Sequence, residues 1–139
     1  SSMMKDFEIN VKLKMAALWA STTFCYLYGD YFELYTPDKV SSLISGENVL
    51  YSPIALLIAS FIMVIPPLMI SLSLFMKPFV NKWLNIVFGS VFTLMMLLIA
   101  IGSLTSWYSF YVFLALVEAA MTAAVVWNAI NWPRTGEKS

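Results

Sequence analysis

Apolar residues dominate four stretches of the chain, each about as long as a helix that crosses a bilayer. Such a helix needs about 20 mostly apolar residues. The stretch from 53 to 76 contains no charged residue, and neither does the longer run from 83 to 117. That run is too long for one span, and the turn-forming sequence from Gly102 to Ser106 divides it. The pattern predicts an all-α fold, a four-helix transmembrane bundle with helices at about 13–35, 53–76, 83–104 and 107–132.

The polar segment between the first two spans carries the signals of a short helix of its own. Thr36-Pro37 pairs an N-cap residue with a proline suited to the first helical position, and Gly46 is a typical helix-ending residue. One side of this segment is apolar and consists of Val40, Leu43 and Ile44. We expect a short interfacial helix at about 37–45 that lies on the outer face of the membrane.

The basic residues predict the orientation, because Lys and Arg accumulate in the cytoplasmic flanks of membrane spans. A four-span arrangement places seven of them on one side, namely Lys5, Lys12, Lys14, Lys77, Lys82, Arg134 and Lys138. Lys39 falls on the other side. We therefore expect a multi-pass protein of the cell (inner) membrane with both termini in the cytoplasm. Residues 1–139 are expected to form a single membrane domain, with 1–3 as an expression-tag remnant and 134–139 as a frayed tail.

The composition narrows the function classes. The chain is 60% hydrophobic and 12% charged, whereas soluble domains carry about 25% charged residues. Its net charge is +0 and its basic residues are scattered, so we expect no nucleic-acid partner. With Cys25 as the one cysteine and no histidine, these 139 residues cannot form an internal disulfide or a Cys/His zinc site. We expect no metal and no cofactor.

Several short stretches, spread over nearly the whole chain, form a recognisable set. They are KDFEINVK at 5–12, YLYGDYF at 26–32, Lys77-Pro78, NKWLN at 81–85, FYVFL at 110–114 and Glu118. Together they resemble a bacterial family of four-helix integral membrane proteins of unknown function. The resemblance implies four spans and a prokaryotic cell membrane. It brings no activity and no assigned functional residue.

Three acidic residues lie within the predicted spans, where a charged group costs about 2.5–3.5 kcal/mol on insertion scales. At about 1.5 Å per residue, Glu118 lies about 15 Å deep, near the centre of a core about 30 Å thick. Asp30 lies about 7–8 Å deep, and Glu33 is within a turn of the outer helix end. Acids at such depths normally face the bundle interior and are often functional.

Polar groups from the other helices are expected at the same mid-membrane depth. Tyr26 lies there on the first helix, one turn further in than Asp30, and Thr22 continues this stripe inward. The same residue count puts Met63 of the second helix and Thr93 of the third at this level.

A proline pair adds two backbone groups to this level. Pro66 and Pro67 cannot donate to the carbonyls of Ile62 and Met63, which therefore need other partners within a membrane. We predict a polar pocket near mid-membrane that opens outward past Asp30 and Glu33. Its predicted binding residues are Glu118, Tyr26, Asp30, Glu33, Thr93, Thr22 and Met63, together with the freed backbone of Ile62 and Met63.

Structural interpretations of the same residues remain open. Glu118, with no basic residue at its depth, fits a cation-binding group, and it also fits a protonated acid hydrogen-bonded to Tyr26 or Thr93 as a link between helices. Asp30 and Glu33 fit interfacial groups in headgroup water. The proline pair fits a packing kink.

Three functions are compatible with this hypothesis. The first is binding of a small molecule, lipid or cation, extending to transport, with Glu118 as central acid and Asp30 as entrance acid. The second is a non-enzymatic accessory or structural subunit of a larger membrane complex. The third is a lipid-modifying membrane enzyme, which only the acid pair supports, so we favour a non-enzymatic role. The expected partners are membrane lipid, a small-molecule or cationic ligand, and either a second copy of the chain or a partner membrane protein.

Overall fold

The computed structural model describes residues 4–134, and every regular element in this part of the chain is helical. The helices are α1 (Val11–Glu33), α2 (Lys39–Ser45), α3 (Pro53–Met63), α4 (Ile65–Phe75), α5 (Pro78–Gly102) and α6 (Ser109–Ile130), with a 3₁₀ turn at Ser106–Tyr108. The predicted all-α class is confirmed. The predicted tag remnant at 1–3 and the predicted tail beyond Arg134, including Lys138, lie outside the described residues.

Three segments are long and apolar enough to cross a membrane: Pro53–Phe75, Pro78–Gly102 and Ser106–Ile130. Helix α1 does not meet that standard, because hydroxyl-bearing residues interrupt its apolar middle and charged residues lie near both of its ends, namely Lys12, Lys14, Asp30 and Glu33. It nevertheless packs against both α4 and α6. The predicted fourth span therefore stays a prediction.

The second predicted helix, at 53–76, is not one uninterrupted helix. The chain breaks at Val64 into α3 and α4, two residues before Pro66. The N–H of Val64 still donates to the carbonyl of Ser60 at 2.9 Å, but neither proline has an N–H to continue the helical series. The missing N–H groups of the proline pair therefore interrupt the helical hydrogen-bond series in the middle of this segment, while Val64 itself keeps a right-handed helical conformation with φ −74°.

Two other helix starts also differ from the prediction. Helix α5 begins at Pro78 rather than 83, because proline is well suited to the first helical position after Lys77. Helix α1 begins at Val11 rather than 13, since the side chain of Asn10 accepts the N–H of Lys12 at 2.8 Å and caps the helix.

The short helix predicted at 37–45 is present as α2, at Lys39–Ser45. It starts later than predicted because Asp38 adopts a left-handed conformation with φ 64°. Gly46 ends it as predicted, with φ 81°. None of the side chains of α2 is buried.

Interhelix contacts show that the long helices alternate in direction. Trp19 near the start of α1 and Ser73 near the end of α4 both contact Asn85 near the start of α5. Helix α5 in turn lies antiparallel to α6, because Thr93 pairs with Thr122 at 2.7 Å while Gly89, one turn earlier on α5, lies beside Val126, one turn later on α6. The start of α1 and the end of α6 therefore lie at the same end of the molecule.

Helices α3 and α4 differ sharply in packing. Helix α4 buries Pro66, Met69 and Ser73 against the rest of the molecule, whereas α3 buries none of its side chains. The first half of this segment, α3, therefore lies outside the buried core that the other helices form.

Candidate functional site

A cavity of about 210 Å³ lies where α3 departs from the other helices. Tyr26 and Asp30 of α1 line it, as do Tyr111 and Glu118 of α6. Its apolar walls include the methionines Met63, Met95 and Met96 and the loop residue Leu50. Four of the seven predicted site residues, Glu118, Tyr26, Asp30 and Met63, thus surround one space.

Helix periodicity places two of these side chains. Tyr26 and Asp30 are four residues apart and so share a face of α1. Gly29, which lies between them in the chain, also lines the cavity. A methyl group added at Gly29 would lie 3.6 Å from both Tyr111 and Leu114, which is ordinary contact distance.

The Tyr26 hydroxyl is buried and has no hydrogen-bond partner within the part of the chain that the structure describes. Its side chain is 8% exposed, and its ring packs against Phe92 with centroids 6.0 Å apart. A buried polar group left unpaired costs about 1–3 kcal/mol. Such groups usually have a protein, water or ligand partner.

Glu118 is 4% exposed, and between residues 4 and 134 its carboxyl makes no hydrogen bond. Its backbone carbonyl accepts from Thr122 Oγ1 at 3.0 Å. The interhelical bond from Glu118 to Tyr26 or Thr93, one of the alternatives drawn from the sequence, is not formed. No Lys or Arg is among the described residues that line the cavity.

The two outer acids occupy different surroundings. Asp30 is exposed and also lines the cavity. Glu33 is not among the lining residues: its carboxylate accepts the Tyr108 hydroxyl at 3.0 Å and lies 3.7 Å from Nζ of Lys39. Glu33 thus ties the end of α1 to the 3₁₀ turn and to α2.

Both predicted threonines lie outside the cavity lining. Thr22 is fully buried and donates to the carbonyl of Leu18 at 2.8 Å. Thr93 donates to the carbonyl of Gly89 at 2.7 Å and pairs with Thr122. Thr122, the partner of Thr93, is one turn beyond Glu118 on α6. Because α5 and α6 run antiparallel, the part of α5 that is level with Glu118 comes about one turn after Thr93, where Met96 lines the cavity.

The proline pair contributes one wall of the cavity. Met63 lines it, at the end of α3, whereas Ile62 does not. Because Pro66 and Pro67 have no N–H, the carbonyls of Ile62 and Met63 lack their usual donors four residues on. The helical hydrogen-bond series resumes where Leu68 N–H donates to Val64 at 3.0 Å.

A second polar cluster, which the sequence reasoning missed, joins α1, α4 and α5. Trp19 Nε1 donates to Asn85 Oδ1 at 2.7 Å, and Ser73 Oγ donates to the same oxygen at 3.3 Å. Asn85 Nδ2 donates to the Asn81 side-chain oxygen at 2.7 Å. The available signal was the pair of asparagines, one turn apart in an apolar helix. All four side chains have partners, so this cluster has no vacant group for a ligand.

Asn81 links the start of α5 to the end of α4. It lies within the first turns of α5. Its Nδ2 donates to the carbonyls of Ser73 at 2.7 Å and Met76 at 3.2 Å, which lie at the end of α4. The side chain thus satisfies carbonyls that the end of a helix leaves without intrahelical donors.

Among residues 4–134, no group of three or more Cys, His, Asp or Glu side chains is placed to hold a metal ion.

One family model matches nearly the whole chain. The sequence model of a family of unknown function (DUF6326) matches residues 4–138. The chain belongs to this family. Membership in DUF6326 confirms the resemblance found from the sequence and assigns no activity. No curated protein and no solved structure matches the chain.

Proposed function

We propose that this DUF6326 chain is a four-span membrane protein whose cavity binds a small molecule, lipid or cation, with transport as the extension of that binding. The observation that carries the proposal is the buried, unpaired Tyr26 hydroxyl on a cavity that also receives the Glu118 carboxyl. Tyr26 and Glu118 line the same space, and a polar ligand there would complete the hydrogen bonding of two side chains that have no partner in the described chain.

The fourth span of this proposal is α1. Its 23 residues give a length of about 34 Å, enough to cross a hydrocarbon core of about 30 Å. Helix α1 packs between α4 and α6, so the three apolar segments would carry it into the bilayer. Because the helices alternate in direction, the start of α1 and the end of α6 lie on one side. The basic flanks favour the cytoplasmic side of the cell (inner) membrane.

Each cavity residue has a role in this proposal. Glu118 is the central acid, and Tyr26 supplies a hydroxyl that both donates and accepts hydrogen bonds. Asp30, which is exposed, is the acid at the entrance. Met63 at the proline break forms the wall nearest the lipid.

We expect Glu118→Gln to weaken ligand binding at least tenfold, because it replaces a charged hydrogen-bond acceptor by a neutral one. A hydrogen bond to a charged group contributes about 1.5–3 kcal/mol. The measurement is the shift in melting temperature of purified protein in nanodiscs. The probe panel contains benzylammonium, benzyl alcohol and benzoate. At least one probe class should raise the melting temperature of the wild type and not of the variant.

The matched control is Glu33→Gln, which removes an acid that does not line the cavity. That variant should respond to the panel as the wild type does. A wild type that no probe stabilises would contradict the proposal, and so would a Glu118→Gln variant that keeps the full response.

One observation favours the alternative of an accessory subunit. Helix α3 is apolar and buries none of its side chains, so a partner membrane protein has a free surface on which to pack. This alternative predicts co-purification of a stoichiometric partner, with Glu118→Gln changing stability alone. Extraction in mild detergent followed by size-exclusion chromatography distinguishes the two.

A further inference from the structure

The acidic residues of the cavity favour a ligand of positive charge. Asp30 and Glu118 contribute two carboxyls, and no basic side chain is among its described lining residues. A site surrounded by one sign of charge and low-dielectric walls concentrates ions of the opposite sign. An anionic ligand would meet two carboxyls and no cation to pair with, so a cation is favoured.

The volume of the cavity limits the size of the ligand. A cavity of about 150 Å³ holds benzene, whereas drug-sized ligands occupy clefts of about 300–1,000 Å³. At about 210 Å³, this cavity fits one ring or a short alkyl chain with one polar group. A whole phospholipid is too large for it.

The hydrogen-bonding groups distinguish between kinds of organic cation. The Tyr26 oxygen has an accepting lone pair and an O–H to donate, and it has no protein partner in the described chain. An ammonium group with N–H donors would supply a donor to Tyr26 and another to Glu118. A quaternary ammonium group has no N–H and would leave the Tyr26 oxygen without a donor.

The remaining walls suit an apolar body attached to that cation. The rings of Tyr26 and Tyr111 offer aromatic faces, which attract cations. Met63, Met95 and Met96 are flexible and polarizable, and so adapt to an irregular apolar shape. Bare inorganic ions would gain little from such walls.

We propose that the ligand of this cavity is a compact protonated primary amine with a one-ring or short-alkyl apolar body, bound by Glu118 and Tyr26. The proposal rests on the proposed function, since it names the ligand class of the same cavity. Glu118 pairs with the ammonium charge, and the Tyr26 oxygen accepts one of its N–H groups. Asp30 attracts the cation at the exposed side of the cavity.

The test compares four probes that share one ring: benzylammonium, benzyltrimethylammonium, benzyl alcohol and benzoate. Binding to the full chain in nanodiscs is measured by equilibrium dialysis, with empty nanodiscs as the reference for partition into lipid. We expect benzylammonium to bind at least tenfold more tightly than benzyl alcohol. We expect benzyltrimethylammonium to bind more weakly than benzylammonium, and benzoate to bind least.

Two variants assign the roles of the residues. Tyr26→Phe removes the accepting oxygen, so it should reduce the preference for benzylammonium over benzyltrimethylammonium while keeping the preference for cations. It should fold at least as well as the wild type, because it deletes a buried hydroxyl that lacks a partner. Glu118→Gln should weaken both cations alike, and Glu33→Gln should change neither.

The outcomes separate this proposal from the one on which it rests. Equal binding of benzyl alcohol and benzylammonium by the wild type would overturn the amine assignment and leave a cavity that binds small molecules. Tighter binding of benzyltrimethylammonium than of benzylammonium would overturn the role of Tyr26 as acceptor. If no probe binds above the empty-nanodisc reference, both proposals fail.

Discussion

Replacing Asn85 by alanine is expected to lower the free energy of unfolding by about 2–4 kcal/mol. The Asn85 side-chain oxygen accepts from Trp19 at 2.7 Å and from Ser73 at 3.3 Å, and all three side chains are fully buried. Alanine would leave the indole N–H and the serine hydroxyl without this acceptor. Each unpaired buried group costs about 1–3 kcal/mol, although single interhelical bonds in membranes average about 0.6 kcal/mol.

The measurement is reversible unfolding in mixed micelles with increasing SDS, followed by circular dichroism. Asn128→Ala is the matched control, because Asn128 donates only within α6, to the carbonyl of Ala124 at 2.8 Å. It should cost less than about 1 kcal/mol. Equal losses for the two variants would show that the Asn85 cluster does not join α1, α4 and α5 energetically.

The second large effect is expected at Gly89, where α5 and α6 are in close contact. A methyl group there would lie 2.7 Å from Cγ2 of Val126 and 3.3 Å from the carbonyl oxygen of Thr122. The oxygen belongs to the α6 backbone, so relief requires the helices to separate. We expect Gly89→Ala to destabilise the protein by about 1–3 kcal/mol.

Gly29→Ala is the comparison that isolates this effect. Both glycines lie inside long helices, where alanine is intrinsically better by about 1 kcal/mol. At Gly29 the new methyl group meets its neighbours at 3.6 Å, so the substitution should be neutral or stabilising. Gly89→Ala should therefore lower the free energy of unfolding, whereas Gly29→Ala should leave it unchanged or raise it. A stabilising Gly89→Ala would contradict the close α5–α6 packing.

Much of the fold follows from local sequence patterns. Long apolar runs locate α3–α4, α5 and α6, and Gly46 predicts the end of α2, since these signals act within one or two turns of chain. The same signals predict the start of α5 less accurately, at 83 rather than at Pro78. Pro78 fits the first turn of a helix as well as the turn before it, so only the packing of Asn81 against the end of α4 resolves the boundary.

The candidate site was partly predictable for a physical reason. Residues four apart on one helix share a face, so the sequence predicts that Tyr26 and Asp30 lie together, and both line the cavity. Counting residues from the helix ends also placed Glu118 and Met63 at the depth of Tyr26, and all four residues line one cavity. It failed for Thr93, because the register of two antiparallel helices depends on how closely their backbones approach.

The hydrogen-bond partners that a side chain finds on another helix could not be predicted from the sequence. Nothing in the spacing of Glu33 indicates that Tyr108, in a turn far along the chain, donates to its carboxylate. The asparagine pair at 81 and 85 was visible as an unusual feature, but Trp19 and Ser73 become its partners only when three helices meet. Such contacts depend on tertiary packing rather than on local pattern.

The most direct test of the central claim, a ligand held by Tyr26 and Glu118 within the membrane, is native mass spectrometry of protein gently extracted into nanodiscs. The account predicts the mass of the chain plus one small organic molecule, either retained from the cell or added as benzylammonium. It predicts that Glu118→Gln loses this increment and Glu33→Gln keeps it. A bare chain under both conditions, or a fixed complex with another protein and no small molecule, would contradict it.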